Sequence, residues 1–251
     1  MKANAIPTGF NPLFLPNTGE SREFLFQLFA FMLRRTDGTE MLASEEQVIR
    51  NAVQAVLTGP PEGRNLPAFA TLLRGRLRAG EGDLLARLET WIRPEQRGWL
   101  FNNPVDTFSL SSIYGFDMTR VLEDPVIRTA ALMYIFHRTD ELLSGDPVMI
   151  FLDEGWRLLD DEVFAGFIKD KLKTIRKQNG IIGFGTQSAA DIVRSKSANT
   201  LIEQTATNIF FPNPKADDES YRKAFRLSAR EVDWIRTSVP EQRSFLIKHG
   251  Q

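Results

Sequence analysis

Between Ser21 and Met32 the large apolar side chains Phe24, Leu25, Leu28, Phe29 and Met32 recur at three- and four-residue steps. That spacing lines one face of a helix, and Asp37-Gly38 breaks it. Ser44 to Gln47 then has the form of a capping box, in which the Ser44 hydroxyl accepts from the third helical N–H and Gln47 reaches back. The helix it predicts carries Val48, Ile49, Ala52, Val53 and Val56 and stops at Gly59-Pro60-Pro61. A third helix is expected over 66–78 and a fourth from Asp83 to about Ile92. Residues 20–105 therefore predict an all-helical subdomain. Ahead of it, 1–19 form a lead-in. Its stretch Ile6–Pro16 holds three prolines, yet Phe10, Leu13, Phe14 and Leu15 make it too apolar for a free linker, so it should pack on the domain.

After Pro104 the pattern changes. Phe108 to Asp117 reads as a strand, and Asp124-Pro125 caps a helix running to about Leu143. The unbroken run VMIFL at 148–152 suits a parallel strand buried on both faces. A helix over 161–178 follows, with Val163, Phe164, Phe167, Ile168, Leu172 and Ile175 as its inner side, closed by Asn179-Gly180. A second apolar strand, IIGFG, comes next. Further on, helices are expected near 199–206, 218–225 and 229–236, the last with a Ser228–Glu231 capping box, and strands at 209–211 and 244–248. Strands alternating with helices over 106–251 predict an α/β fold with a mainly parallel sheet.

Composition narrows the chemistry. The chain has 251 residues, 31 Lys and Arg against 32 Asp and Glu, no cysteine and two histidines. Disulfide frameworks, thiolate sites and multi-histidine metal sites are excluded. The near-zero net charge argues against a protein whose main business is coating nucleic acid. No apolar run reaches the roughly 20 residues that cross a bilayer, and the opening MKANAIPTGFNP lacks a signal-peptide core. A cytoplasmic setting is the expectation.

The carboxylates Asp153 and Glu154 end the first apolar strand, at the rim where α/β sheets bind ligands. Four hydrophobes followed by Asp-Glu form the Walker B pattern. There the first carboxylate holds Mg²⁺, through water, and the second polarises a water for attack on a γ-phosphate. As plain structure, the pair would be the acidic start of the next helix. Gln187 ends the next apolar strand and would stand beside them if the two strands are parallel neighbours; its amide can orient a water or sense a phosphate. Arg176-Lys177 close the intervening helix, where cations complement the helix dipole; alternatively the Arg176 guanidinium reaches a phosphate, in its own subunit or across an oligomer interface. No G-x-x-x-x-G-K-[ST] loop occurs, and no Gly-Lys pair at all, so the groups that cradle phosphates are missing. Arg64, Arg74, Arg76 and Arg78 read as a solvated face, His137 as a boundary residue, and the tryptophans as packing, with Trp156 beside the carboxylates.

IPTGFNPL, SIYGFDMT, VMIFLDEGWRLL, TIRKQNGIIGFGTQSAADI, NIFFPNP and FLIKHG, in this order and across nearly the whole chain, resemble the C-terminal half of the type IV secretion and conjugation ATPases of the CagE/TrbE/VirB family. The resemblance implies a RecA-like P-loop NTPase core with an inserted all-helical subdomain. It also implies ATP and Mg²⁺ as cofactors, a hexamer, other secretion components as partners, and a place at the inner face of the bacterial inner membrane. By the same likeness Asp153 and Glu154 match the Walker B pair, with Asp153 on the metal. Gln187 matches the following-strand glutamine, and Arg176 and Lys177 match the RKxNG motif, catalytic and nucleotide-binding respectively. The family's phosphate loop precedes TGFNPL, so the chain is expected to be a fragment, trimmed at both ends and inactive alone. Alternatives are a DNA-translocating motor of the coupling-protein type, or a non-enzymatic assembly remnant.

Overall fold

The computed structural model describes residues 9–35, 39–74, 83–108, 113–143, 145–158, 161–195 and 198–250. The chain divides into two compact units, residues 1–138 and 139–251.

The first unit is helical: α1 (Gly19–Met32), α2 (Ala43–Thr58), α3 (Leu66–Arg74), α4 (Asp83–Ile92), the single turn α5 (Trp99–Phe101) and most of α6 (Pro125–Leu142). Thr18 caps α1, its hydroxyl accepting from the Ser21 N–H at 3.1 Å. The stripe predicted on α1 is buried at Leu25, Leu28, Phe29 and Met32, and the Phe29 ring stacks on Phe69 of α3 at 4.2 Å. Trp91 of α4 is fully buried and donates its indole N–H to the Met32 carbonyl at 3.0 Å, so the polar edge of this large side chain is satisfied. The lead-in packs as expected, with Phe10, Leu13 and Leu15 buried. It is laced to 106–107, where Thr107 donates its N–H to Gly9 at 2.8 Å.

Helix α2 starts differently from the sequence reading. Its cap position is Leu42, and Glu45 reaches back to accept the Leu42 N–H at 2.9 Å, while Gln47 bonds Asn51 one turn on. Tertiary contacts decide this start. Glu45 is buried and takes Arg87 at 2.6 Å and Arg35 at 3.3 Å, which ties α2 to α4. Burial alone would raise its pKa, but the Leu42 N–H and the two guanidiniums outweigh burial and hold the carboxyl below its usual range. Asp124 caps α6 as predicted, accepting from Val126 at 2.7 Å. Of the strand expected at 108–117, residues 113–117 are irregular, and 109–112 lie outside the described residues.

The second unit holds β1 (Val148–Leu152), α7 (Glu162–Thr174), β2 (Gly180–Phe184), α8 (Ala189–Arg194), α9 (Ala198–Gln204), β3 (Thr207–Phe210), α10 (Ala229–Thr237) and β4 (Leu246–His249). β1 and β2 pair in parallel from Val148↔Gly180 to Leu152↔Phe184. The sheet is less uniform than predicted, because β3 and β4 form a separate antiparallel pair among the described residues. That pair turns Phe210 and Leu246 onto a small core of Tyr221, Leu227, Val232 and Ile235.

The Ser228–Glu231 capping box of α10 forms as predicted. α7 is capped by Asp161, then tightens into a 3₁₀ turn (Ile175–Gln178) ending at Asn179 with φ 58°. Its buried stripe is Phe164, Ile168, Lys171 and Ile175. Lys171, not expected on the inner side, is buried, and Asp140 meets its ammonium at 2.7 Å. β1 is not covered on both faces: Met149 and Phe151 are 59% and 74% exposed, and Ile181 beside them 60%. An apolar run says that neither face favours water; which residues cover each face is decided elsewhere.

Candidate functional site

The parallel pairing of β1 with β2 brings the two predicted strand ends together. Leu152 opposes Phe184, and the Gly185 N–H extends the ladder by donating to the Leu152 carbonyl at 2.9 Å. Asp153 therefore opposes Gly185, and Gln187 follows two residues on, at the same edge of the pair. Side chains alternate along a strand, so Asp153 follows Met149 and Phe151 on the exposed face. It is itself exposed, as is Gln187. A Cβ at Gly185 would come within 3.3 Å of the Asp153 Oδ1; glycine here leaves the carboxylate room beside the neighbouring strand.

Glu154 turns the chain out of β1 with φ 51°, left-handed for a residue with a side chain. Such conformations cost about 1–3 kcal/mol and concentrate at functional sites. Gly155 comes next and is buried. Its glycine identity does not answer to a positive φ; the Phe184 ring occupies the place of a Cβ, which would stand 2.7 Å from Cε2 and 3.0 Å from Cζ. Spacing in the sequence flagged the two carboxylates but not this contact, since a Gly-Phe approach between strands leaves no periodic trace.

Arg176 and Lys177 lie at the other end. They precede Gly180, whose partner is Val148, and the Val148 N–H donates to the Asn179 carbonyl at 3.3 Å. Four steps of about 3.3 Å each put roughly 13 Å of strand between this edge and Leu152. The pair brings together Asp153, Glu154 and Gln187 and leaves the exposed cations Arg176 and Lys177 apart from them.

Asp153 is a hard oxygen donor in an open position, a chemistry that suits Mg²⁺ keeping most of its water shell. No cluster of three or more His, Cys, Asp or Glu fit to hold a metal by protein ligands alone occurs among the described residues. His137, in the first unit, stacks flat on Phe24 at 3.8 Å, a packing role.

A parallel strand ending in adjacent carboxylates, with a polar amide leaving the neighbouring strand, marks an edge where α/β sheets bind ligands. Residues 95–231 match the TraG P-loop domain, and the chain belongs to that family. It is similar to the type IV secretion system protein virB4 of Bartonella quintana (strain Toulouse), 38% identical over 250 residues that cover 99% of this chain and 32% of that protein. The type IV secretion system protein PtlC of Bordetella pertussis (strain Tohama I / ATCC BAA-589 / NCTC 13251) is 36% identical, covering 98% of this chain and 30% of that protein. The chain thus spans about a third of the length of these curated relatives. The structure of VirB4 of Thermoanaerobacter pseudethanolicus shares the fold, with a TM-score of 0.63 at 17% identity over 93% of this chain and 67% of that one. No helix among the described residues is long and apolar enough to cross a membrane.

Proposed function

We propose that this chain is the Walker B-bearing part of a type IV secretion ATPase, a RecA-like nucleotide-binding core with a helical subdomain. The parent couples ATP hydrolysis to pilus assembly and substrate transport. The observation that carries the reading is the in-register parallel pair, whose common edge bears Asp153, Glu154 and Gln187, in a chain that belongs to the TraG P-loop domain family. The bare apolar face of β1 and β2 and relatives about three times as long support a sheet that is completed in a longer protein.

In this reading Asp153 holds the water shell of Mg²⁺, which supplies charge neutralisation at the phosphates when bound. A Glu154 carboxylate oxygen takes the proton of a water aimed at the γ-phosphate. The Gln187 amide donates to the phosphate or steadies that water. The separation of Arg176 and Lys177 from this edge favours their acting on the nucleotide of a neighbouring subunit, as a ring of subunits, hexameric in our proposal, would allow. A place at the cytoplasmic face of the inner membrane, beside other secretion components, completes the proposal.

Phosphate-cradling groups do not occur in these 251 residues, so the purified chain should not hydrolyse ATP. A full-length protein carrying this region should show magnesium-dependent turnover that Glu154→Gln abolishes. Turnover by the chain alone that is sensitive to Glu154→Gln would refute the first expectation. Wild-type turnover in the full-length variant would refute the role of Glu154.

A further inference from the structure

We infer that Phe184 and Gly155 are positioning residues for Glu154: the ring of Phe184, seated against the bare α-carbon of Gly155, holds the turn that aims the carboxylate. The inference rests on the function proposed above and deepens it.

Three observations meet at this point. Glu154 sits in a left-handed conformation, φ 51°, which is uncommon for a residue that carries a Cβ. The residue after it is a buried glycine without a positive φ, so its lack of a side chain answers to space. The nearest atoms in that space are the Phe184 ring edge, at 2.7 and 3.0 Å from where a Cβ would be, and Leu152 Cβ at 3.2 Å. Leu152 and Phe184 are register partners on adjacent strands, so the clamp is built on the sheet and not on the loop. A strained turn persists only where its surroundings over-determine it, and this contact packs the residue that follows Glu154 against the neighbouring strand. A methyl at 155 displaces the ring or the turn. A smaller side chain at 184 would make room for that methyl.

The test has a spectroscopic arm and a kinetic arm. In the purified chain, Phe184 should shift the Gly155 α-proton resonances by its ring current, and the Glu154 Cα and Cβ shifts should report left-handed backbone. Gly155→Ala should move the Glu154 shifts toward ordinary values, and Phe184→Leu added to it should restore them. In a full-length protein, Gly155→Ala should lower kcat by about 10- to 100-fold, the scale of a misplacement near 1 Å. KM for ATP should be little changed, and Gly155→Ala/Phe184→Leu should recover most of the loss. If Gly155→Ala fails to fold, Phe184→Ala serves instead; it unseats the clamp without a clash and should lower kcat and broaden the Glu154 resonance. Wild-type kcat and shifts in Gly155→Ala or Phe184→Ala overturn the inference, as does a Gly155→Ala defect that Phe184→Leu leaves unrepaired. Glu154→Gln in the same protein separates the two claims. If it keeps full turnover the proposed function has failed, whereas if it is inactive while Gly155→Ala is normal only the positioning role has failed.

Discussion

Replacing Asp106 by asparagine should destabilise the first unit out of proportion to the one-atom change. Asp106 sits where the lead-in meets α6, and four donors converge on its carboxylate. The Asn11 and Phe108 N–H groups reach Oδ1 at 3.3 and 3.4 Å; the Tyr134 hydroxyl and the Arg138 Nη1 reach Oδ2 at 2.5 and 2.6 Å. Both charged side chains are nearly buried, 7% and 12% exposed, so solvent screens the pair little. The Tyr134 hydroxyl is driven far above its ordinary pKa, first by burial and then by the Asp106 charge, and stays a neutral donor. An amide at 106 has one accepting oxygen and must aim its NH₂ at one of the two donor pairs, whichever way it flips. Breaking a buried ion pair from one side costs about 3–5 kcal/mol. With a urea slope of about 1–3 kcal/mol/M, the midpoint should fall by about 1–5 M. Urea titrations followed by far-UV circular dichroism and tryptophan fluorescence would measure it. Asp218→Asn is the comparison: that carboxylate meets two arginines, at 2.7 and 3.2 Å, but is 55% exposed, and its midpoint should barely move. A shift for Asp106→Asn no larger than for Asp218→Asn would refute the reasoning.

Glu45 makes the same unit sensitive to acid. Its folded pKa lies below the unfolded value, so its stabilisation is present above the ordinary glutamate range and is lost as pH falls through the folded pKa; thermal melts from neutral to acid pH should show this slope, and Glu45→Gln should flatten it. Asn179, with φ 58°, closes α7 and starts β2; Asn179→Ala should cost about 1–2 kcal/mol from the left-handed penalty, while Asn179→Gly should leave the melting temperature nearly unchanged.

Much of the candidate site was legible because its signal is local. Asp153, Glu154 and Gln187 were picked out by one rule, a polar group ending an apolar run, which a strand-helix alternation converts into a shared rim. The helices of the first unit were legible for a similar reason: Leu25, Leu28, Phe29 and Met32 declare their face by spacing alone. Capping was legible at Asp124 and Ser228, yet Ser44 misled, because the buried partners of Glu45 come from α4 and from Arg35, which no local window contains; the Thr18 cap of α1 emerged only in the structure. Lys171 misled the inner stripe of α7 in the same way, since its counter-charge at Asp140 lies on another helix.

By itself, then, the chain's order of residues determined most of the helices, which two strands end in polar groups, and that no thiol or multi-histidine centre exists. Those are consequences of side-chain periodicity and composition, which act over a few residues. Only the tertiary structure decided that β1 and β2 run in register, that β3 and β4 pair apart from them, that Arg176 and Lys177 fall at the opposite edge, and that Phe184 fills the space over Gly155. Each of these is a contact between residues distant along the chain, chosen by packing and by the pairing of backbone groups, and packing leaves no repeat in the sequence from which it could be read.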